Sequence, residues 1–135
     1  MPPPSYQGIY RAPHFMWVGE GCQADLMSPR LVRHVLRRLV KLTGMKPLGR
    51  ARVVIVDGEA AKGKAFGRGV SGYQLIVDSH IAVDTLADVG IVYIDVFSCR
   101  SWDYPLGKEL FRLLRPAHAW ENTVERALDT TGSSG

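Results

Sequence analysis

Residues 28–44 constrain the fold more than any other stretch. Ser28 suits an N-cap and Pro29 the first helical position. Leu31, Val32, Val35, Leu36, Leu39, Val40 and Leu42 then recur at helical spacing, and Gly44 suits the C-terminal stop. A helix with one apolar stripe must bury it against another element. The chain offers mainly strands for this. Residues 14–18 are short, apolar and aromatic, and residues 52–56 are a β-branched run. Residues 72–77, 80–83, 91–97 and 119–128 also read as strands. One more helix is expected over 106–114, ending before Pro116. Single helices among antiparallel-looking strands predict an α+β fold, a two-layer α/β sandwich with helices on one face of an antiparallel sheet. The second sheet face would then be bare and would invite a partner.

The chain has 135 residues, 46% of them hydrophobic and 22% charged. That is one globular domain with a core large enough to do without disulfides. The single domain is placed at 14–128. Residues 1–13 form a proline-rich N-terminal arm, 57–69 a glycine-rich mobile loop, and 129–135 a disordered tail. The start lacks a secretory signal, and no apolar run approaches the ~20 residues of a membrane span. The expected setting is a reducing cytoplasm with Cys22 and Cys99 as thiols. No metal is expected, because two cysteines without finger-spaced histidines cannot make a zinc site. Gly58, Gly63, Gly67 and Gly69 lack the Gly-Lys-Ser/Thr ending of a phosphate loop. The net charge of +4 sits largely on Arg30, Arg33, Arg37, Arg38 and Lys41. Without interleaved aromatics these read as a solvated helix face, and no nucleic-acid partner is expected. His14, His34 and His118 have no constellation around them.

Two stretches do not read as ordinary strand sequence. One is Gly69-Val70-Ser71-Gly72 followed by Val77-Asp78-Ser79-His80. The other is Asp95-Val96-Phe97-Ser98-Cys99. With Gly21-Cys22, these resemble the motifs of the bacterial and archaeal S-adenosylmethionine decarboxylases: Gly-Val-Ser-Gly, Glu-Ser-His, a segment ending His-Thr-Trp-Pro-Glu, and Asp-Val-Phe-Thr-Cys. The spacings of Ser71, Ser79 and Cys99 match, and the resemblance covers roughly 14–128. It implies a proenzyme that cuts itself between Asp78 and Ser79. Ser79 would become a pyruvoyl group, leaving a β chain of 1–78 and an α chain of 79–135. The pyruvoyl ketone would form a Schiff base with a substrate amine and take up the electrons released with CO2. Ser71 would assist processing and Cys99 would return a proton to the α carbon. Gly69 and Gly72 would let the backbone approach the cut site. Alternation turns the His80 ring away from Ser79, so His80 is read as structural, and Cys22 as a small buried hydrophobe. The implied product is decarboxylated S-adenosylmethionine for spermidine and other polyamines, made by a homodimer whose protomers pair through their sheets.

The departures from the family pattern cluster in one segment. The family's processing histidine is Asp84 here, its Trp is Leu86, its Pro is Ala87, and its ribose-binding Glu is the shorter Asp88. Asp78 stands where the family has Glu. Phe66 falls one residue from a family position that stacks on adenine. Asp84 would also suit the second cationic group of L-ornithine or L-arginine. Two further readings therefore stand beside the first: a pyruvoyl-dependent decarboxylase of a basic amino acid, and an unprocessed homologue serving as a binding or regulatory subunit.

Overall fold

A computed structural model describes residues 9–62 and 67–129. Strand β1 (Ile9–Glu20) leads to helix α1 (Pro29–Thr43), strand β2 (Arg52–Val56) and a single helical turn, α2 (Gly58–Ala61). Strands β3 (Gly69–Ile76), β4 (Ser79–Leu86) and β5 (Ile91–Phe97) follow, then helix α3 (Leu106–Leu114) and strand β6 (His118–Asp129). The six strands form one antiparallel sheet in the order β2-β3-β4-β5-β1-β6. Both long helices lie on one face, as the apolar stripe of 28–44 requires.

α1 forms as its sequence dictates. The Ser28 hydroxyl accepts from the Leu31 amide at 3.1 Å, and Gly44 closes the helix with φ of 71°. Its Val32, Val35, Leu36 and Leu39 are fully buried with Val70, Ile81, Val83 and Ile94 of the sheet. α3 adds Leu106, Leu110 and Leu114 beside Phe15 and Trp17 of β1. Truncating any one of the large aliphatic residues to Ala would cost about 2–5 kcal/mol.

Several boundaries differ from the sequence reading, each for a local reason. β1 starts at Ile9, inside the expected arm, because its backbone pairs with β6 from Ile9↔Asp129 onward. The same pairing draws Asp129 out of the expected tail. The expected loop 57–69 holds the α2 turn and yields Gly69 to β3; residues 63–66 lie outside the described set. Within the chain, Gly69 and Gly72 pair with Leu86 and Val83, well along the strands from Ser79. A Cβ on Gly69 would stand 1.8 Å from the Thr85 carbonyl oxygen, and one on Gly72 would stand 2.7 Å from Val32. They are glycines because β4 and α1 press on β3.

The face without helices carries, in cross-strand rows, Val54, Ser71, Asp84, Tyr93, Val18 and Trp120, then Tyr73, Ala82, Asp95, Met16 and Asn122. The third row is Leu75, His80, Phe97, His14 and Val124. Val54, Tyr73, Leu75, Tyr93, Trp120 and Val124 are all exposed there.

Candidate active site

Ser79 is the first residue of β4. The β3–β4 hairpin pairs Ile76 with Ser79, so Val77 and Asp78 alone make the turn. Asp78 is held in the left-handed region at φ of 63°, where few residues other than glycine, Asn and Asp settle. The turn is anchored from behind: Val77 N–H donates to the Lys46 carbonyl at 2.9 Å, and Leu48 N–H to the Leu75 carbonyl at 2.8 Å.

The peptide bond between Asp78 and Ser79 thus lies between a strained residue and a fixed hydroxyl. The Cys99 amide donates to Ser79 Oγ at 2.8 Å. Cys99 Sγ lies 3.9 Å from the Val77 carbonyl oxygen, on the same turn. The segment after β5 is itself tied down. Ser98 is buried, its N–H donates to the Pro13 carbonyl at 3.1 Å, and its hydroxyl caps Arg100. Arg100 in turn donates to the Gly44 carbonyl at 3.0 Å.

Ser71 and Asp84 also meet, as a cross-strand pair with Ser71 Oγ donating to Asp84 Oδ1 at 2.6 Å. They line a cleft of about 340 Å³ with Val56, Gly67, Gly69, Thr85, Leu86 and Tyr93. Asp84 is five positions along β4 from Ser79, roughly 17 Å at ~3.3 Å per residue, and an odd spacing puts them on opposite faces. Expected as one site, the four residues form two separate pairs within a chain. Strand geometry forbids anything else.

Asp88 does not stand free as a ribose ligand. Its carboxylate takes the Arg68 guanidinium at 2.8 Å and the Arg68 amide at 2.7 Å. The Arg68 side chain is the main reason its carboxyl sits below the usual range. Gly67, at φ of 70°, permits this clasp, since a Cβ there would strike Asp88. Leu86 lines the Ser71–Asp84 cleft. Phe66 lies outside the described residues. Cys22 packs against the core, and burial raises its thiol pKa to about 11, as suits an inert residue.

The sequence reading missed a cluster beside the β3–β4 turn. His14 Nε2 lies 2.8 Å from Asp95 Oδ1. Phe97 stacks on His80 at 4.9 Å between ring centres, meets the edge of His14, and carries the Arg126 guanidinium 3.5 Å over its ring. Alternation in β5 places Asp95 and Phe97 on one face, which was the available signal. His80 does turn away from Ser79 as expected, onto the open face. Among the described residues, no three His, Cys, Asp or Glu side chains converge to hold a metal ion, and no helix is long and apolar enough to cross a membrane.

The family model for S-adenosylmethionine decarboxylase matches residues 13–127. The chain belongs to the S-adenosylmethionine decarboxylase family. No curated protein matches the sequence. The crystal structure of the adenosylmethionine decarboxylase from Aquifex aeolicus VF5 superposes with a TM-score of 0.68, covering 93% of this chain and 98% of that one at 18% identity. At that identity the likeness is one of fold: the six-stranded antiparallel sheet with helices on one side.

Members of the S-adenosylmethionine decarboxylase family use a pyruvoyl group, and the residues present here fit one. The group would be made in place from Ser79. The structure shows its hydroxyl oriented by an amide, a left-handed residue before it and a thiol against the Val77 carbonyl of the same turn.

Proposed function

We propose that the chain is a proenzyme that cleaves itself between Asp78 and Ser79 and then decarboxylates S-adenosylmethionine, supplying polyamine synthesis. The observation that carries this reading is the 2.8 Å contact of the Cys99 amide with Ser79 Oγ, next to the left-handed Asp78. In the first step the Ser79 hydroxyl adds to the Asp78 carbonyl carbon. The amide C–N bond breaks, the nitrogen takes the proton, and an ester replaces the amide. Strain at Asp78 favours leaving the amide geometry. In the second step a base removes the Ser79 α proton and the Cβ–Oγ bond breaks, freeing the Asp78 carboxylate. The dehydroalanine that remains takes up water and loses ammonia.

The pyruvoyl group so formed supplies an electron-accepting carbonyl for the substrate amine. Cys99 holds its thiol at that end of the site, where it returns a proton to the substrate α carbon after CO2 departs.

The active form is a homodimer joined through the bare sheet faces. Two arguments support this. The exposed apolar rows are broad enough to call for cover. The Ser71–Asp84 pair, held away from its own Ser79, can serve a second copy across a face-to-face two-fold axis. In that arrangement Asp84 would act as the processing base, with the Ser71 hydroxyl beside it. The α proton of the Ser79 ester would pass to the Asp84 carboxylate of the other copy.

A second substrate reading, L-ornithine or L-arginine, has one observation in its favour. Asp88 is engaged by Arg68, whereas Asp84 faces a cleft where, among the described residues, it is hydrogen-bonded to the Ser71 hydroxyl. A cationic substrate end fits such a carboxylate.

Intact-mass measurement of the purified chain tests cleavage, with two fragments and a pyruvoyl-blocked α chain expected. A single full-length mass that persists for days would leave a non-catalytic binding subunit as the surviving reading. CO2 release from S-adenosylmethionine, set against ornithine and arginine, then decides the substrate.

A further inference from the structure

Arg126 belongs to no motif and lies on the edge strand β6. Its guanidinium crosses β1 to reach β5, over a row where Ala12, its pairing partner, is small. There Nη2 donates to the Ser98 carbonyl oxygen at 2.6 Å. The guanidinium is steadied by the Phe97 ring at 3.5 Å, and Phe97 is steadied by stacking on His80. Arg126 Nε is buried and has no hydrogen-bond partner among the described residues. Leaving a buried charged-group donor unpaired is costly, and an arginine on an edge strand has easier places to go.

The carbonyl that Arg126 holds belongs to the same peptide group as the Cys99 N–H. That N–H donates to Ser79 Oγ. One planar unit is therefore fixed at both ends, by a guanidinium on its oxygen and by the reacting hydroxyl on its nitrogen. A cation on the carbonyl also polarises the amide and makes its N–H a stronger donor.

We propose that Arg126 is a positioning residue for self-cleavage, clamping the Ser98–Cys99 peptide so that its N–H follows the Ser79 oxygen through bond breaking. The inference rests on the cleavage reading given above. In the elimination step, Cβ–Oγ breaks and the electron pair stays on the oxygen that was the Ser79 hydroxyl, now part of the Asp78 carboxylate. A preorganised N–H on that oxygen stabilises the charge where it develops. During the first step the same bond fixes the direction of the attacking lone pair. Arg126 touches no reacting atom, and its whole effect passes through the peptide it holds.

The test is the splitting rate of freshly translated chains, followed by denaturing gel and intact mass. Arg126→Met keeps the stem and removes the donors and the charge. It should slow splitting at least about tenfold, short of the ~10²–10³ that outright loss of such a donor costs. The slow step should be elimination, so the ester accumulates. Hydroxylamine added to the variant should then release an α chain that begins with serine instead of pyruvoyl. Arg126→Lys keeps a cation for the Ser98 carbonyl and should recover part of the rate. Phe97→Leu removes only the platform, so it serves if Arg126→Met folds poorly, and it should slow splitting by about three- to tenfold. Thermal melting of each variant separates these effects from loss of fold. Wild-type splitting rates in both well-folded Arg126→Met and Phe97→Leu would overturn the role of Arg126 and leave the proposed function standing. A wild-type chain that never splits would overturn both.

Discussion

The Cys99 amide nitrogen lies 2.8 Å from the hydroxyl oxygen of Ser79, and the Cys99 sulfur lies 3.9 Å from the carbonyl of Val77 in the same turn. One residue thus addresses the Val77–Asp78 turn twice, by its backbone and by its side chain. The two contacts can be separated by mutation. Cys99→Ala keeps the N–H and removes the sulfur. Self-cleavage should persist, slowed at most severalfold, whereas CO2 release by the processed protein should fall by about 10²–10⁴, the usual worth of a positioned proton donor. Parallel gels and CO2 assays on one preparation make the comparison. Equal loss of both would place the thiol in processing instead.

Ser79→Ala removes the nucleophile and should leave one full-length chain. The fold should survive, because the side chain is only half-buried at the end of a strand. The loss of one hydrogen bond from the Cys99 amide should cost about 1 kcal/mol. Mass spectrometry reports the uncut chain and thermal melting the small change in stability. Fragments ending at residue 78 in this variant would point to a contaminating protease.

Much of the architecture behind these expectations is legible in the sequence. The stripe from Leu31 to Leu42, with Ser28 before it and Gly44 after, specifies α1 and the face it covers, because both caps and periodicity are local properties. Ser71, Ser79 and Cys99 are legible as a set through their spacing. Their partition into two pairs is not, since it depends on register. Only the pairings Ile76↔Ser79 and Ser71↔Asp84 reveal that one pair sits at the hairpin turn and the other well down the strand. The His14, Asp95, Phe97 and Arg126 cluster is hidden for a related reason. Its members come from β1, β5 and β6, which become neighbours only when β1 inserts between the other two. Asp88 misleads on its own, because the Arg68 that occupies it lies in a glycine-rich segment with no periodicity to place it.

Glu109 should make stability pH-dependent at the acid end. It is buried on α3, where Arg112 and then Arg38 of α1 hold its carboxyl below the usual glutamate value against an opposing effect of burial. A depressed folded pKa means the contribution is complete above the unfolded value of ~4.3 and fades as pH falls through the folded one. Glu109→Gln should lower stability by about 1.5–3 kcal/mol at pH 7, the worth of hydrogen bonds to a charged group. Melting curves of the two proteins should begin to converge below about pH 4. A gap that stays constant down to pH 3 would assign the cost to packing.

Asp84→His probes the departure at the processing position. Histidine is the stronger base near neutrality, with an unperturbed pKa of ~6.5 against ~3.9 for aspartate. If removal of the Ser79 α proton limits cleavage, restoring histidine should speed it severalfold between pH 7 and 8. The rate should then fall as pH drops below about 6.5 and the imidazole is protonated. A rate indifferent to both the substitution and pH would mean that the acyl shift, and not elimination, is limiting.

The separation of Ser71–Asp84 from Ser79–Cys99 within a chain makes a sharper test of how the site is assembled. If the site is shared between two copies, each variant lacks a different half. Ser79→Ala still presents Ser71 and Asp84, whereas Ser71→Ala with Asp84→Ala still presents Ser79 and Cys99. Each expressed alone should stay largely uncut. Co-expressed with distinguishable tags, they should form mixed dimers in which the Ser71/Asp84 variant, and only that chain, is split. A dimer-breaking change on the bare face, Tyr73→Glu, should abolish this rescue and leave monomers in sedimentation. Rescue fails under any arrangement in which a chain serves only itself, because neither variant then holds a complete set. The identity of the split chain therefore reads out which copy supplies which pair.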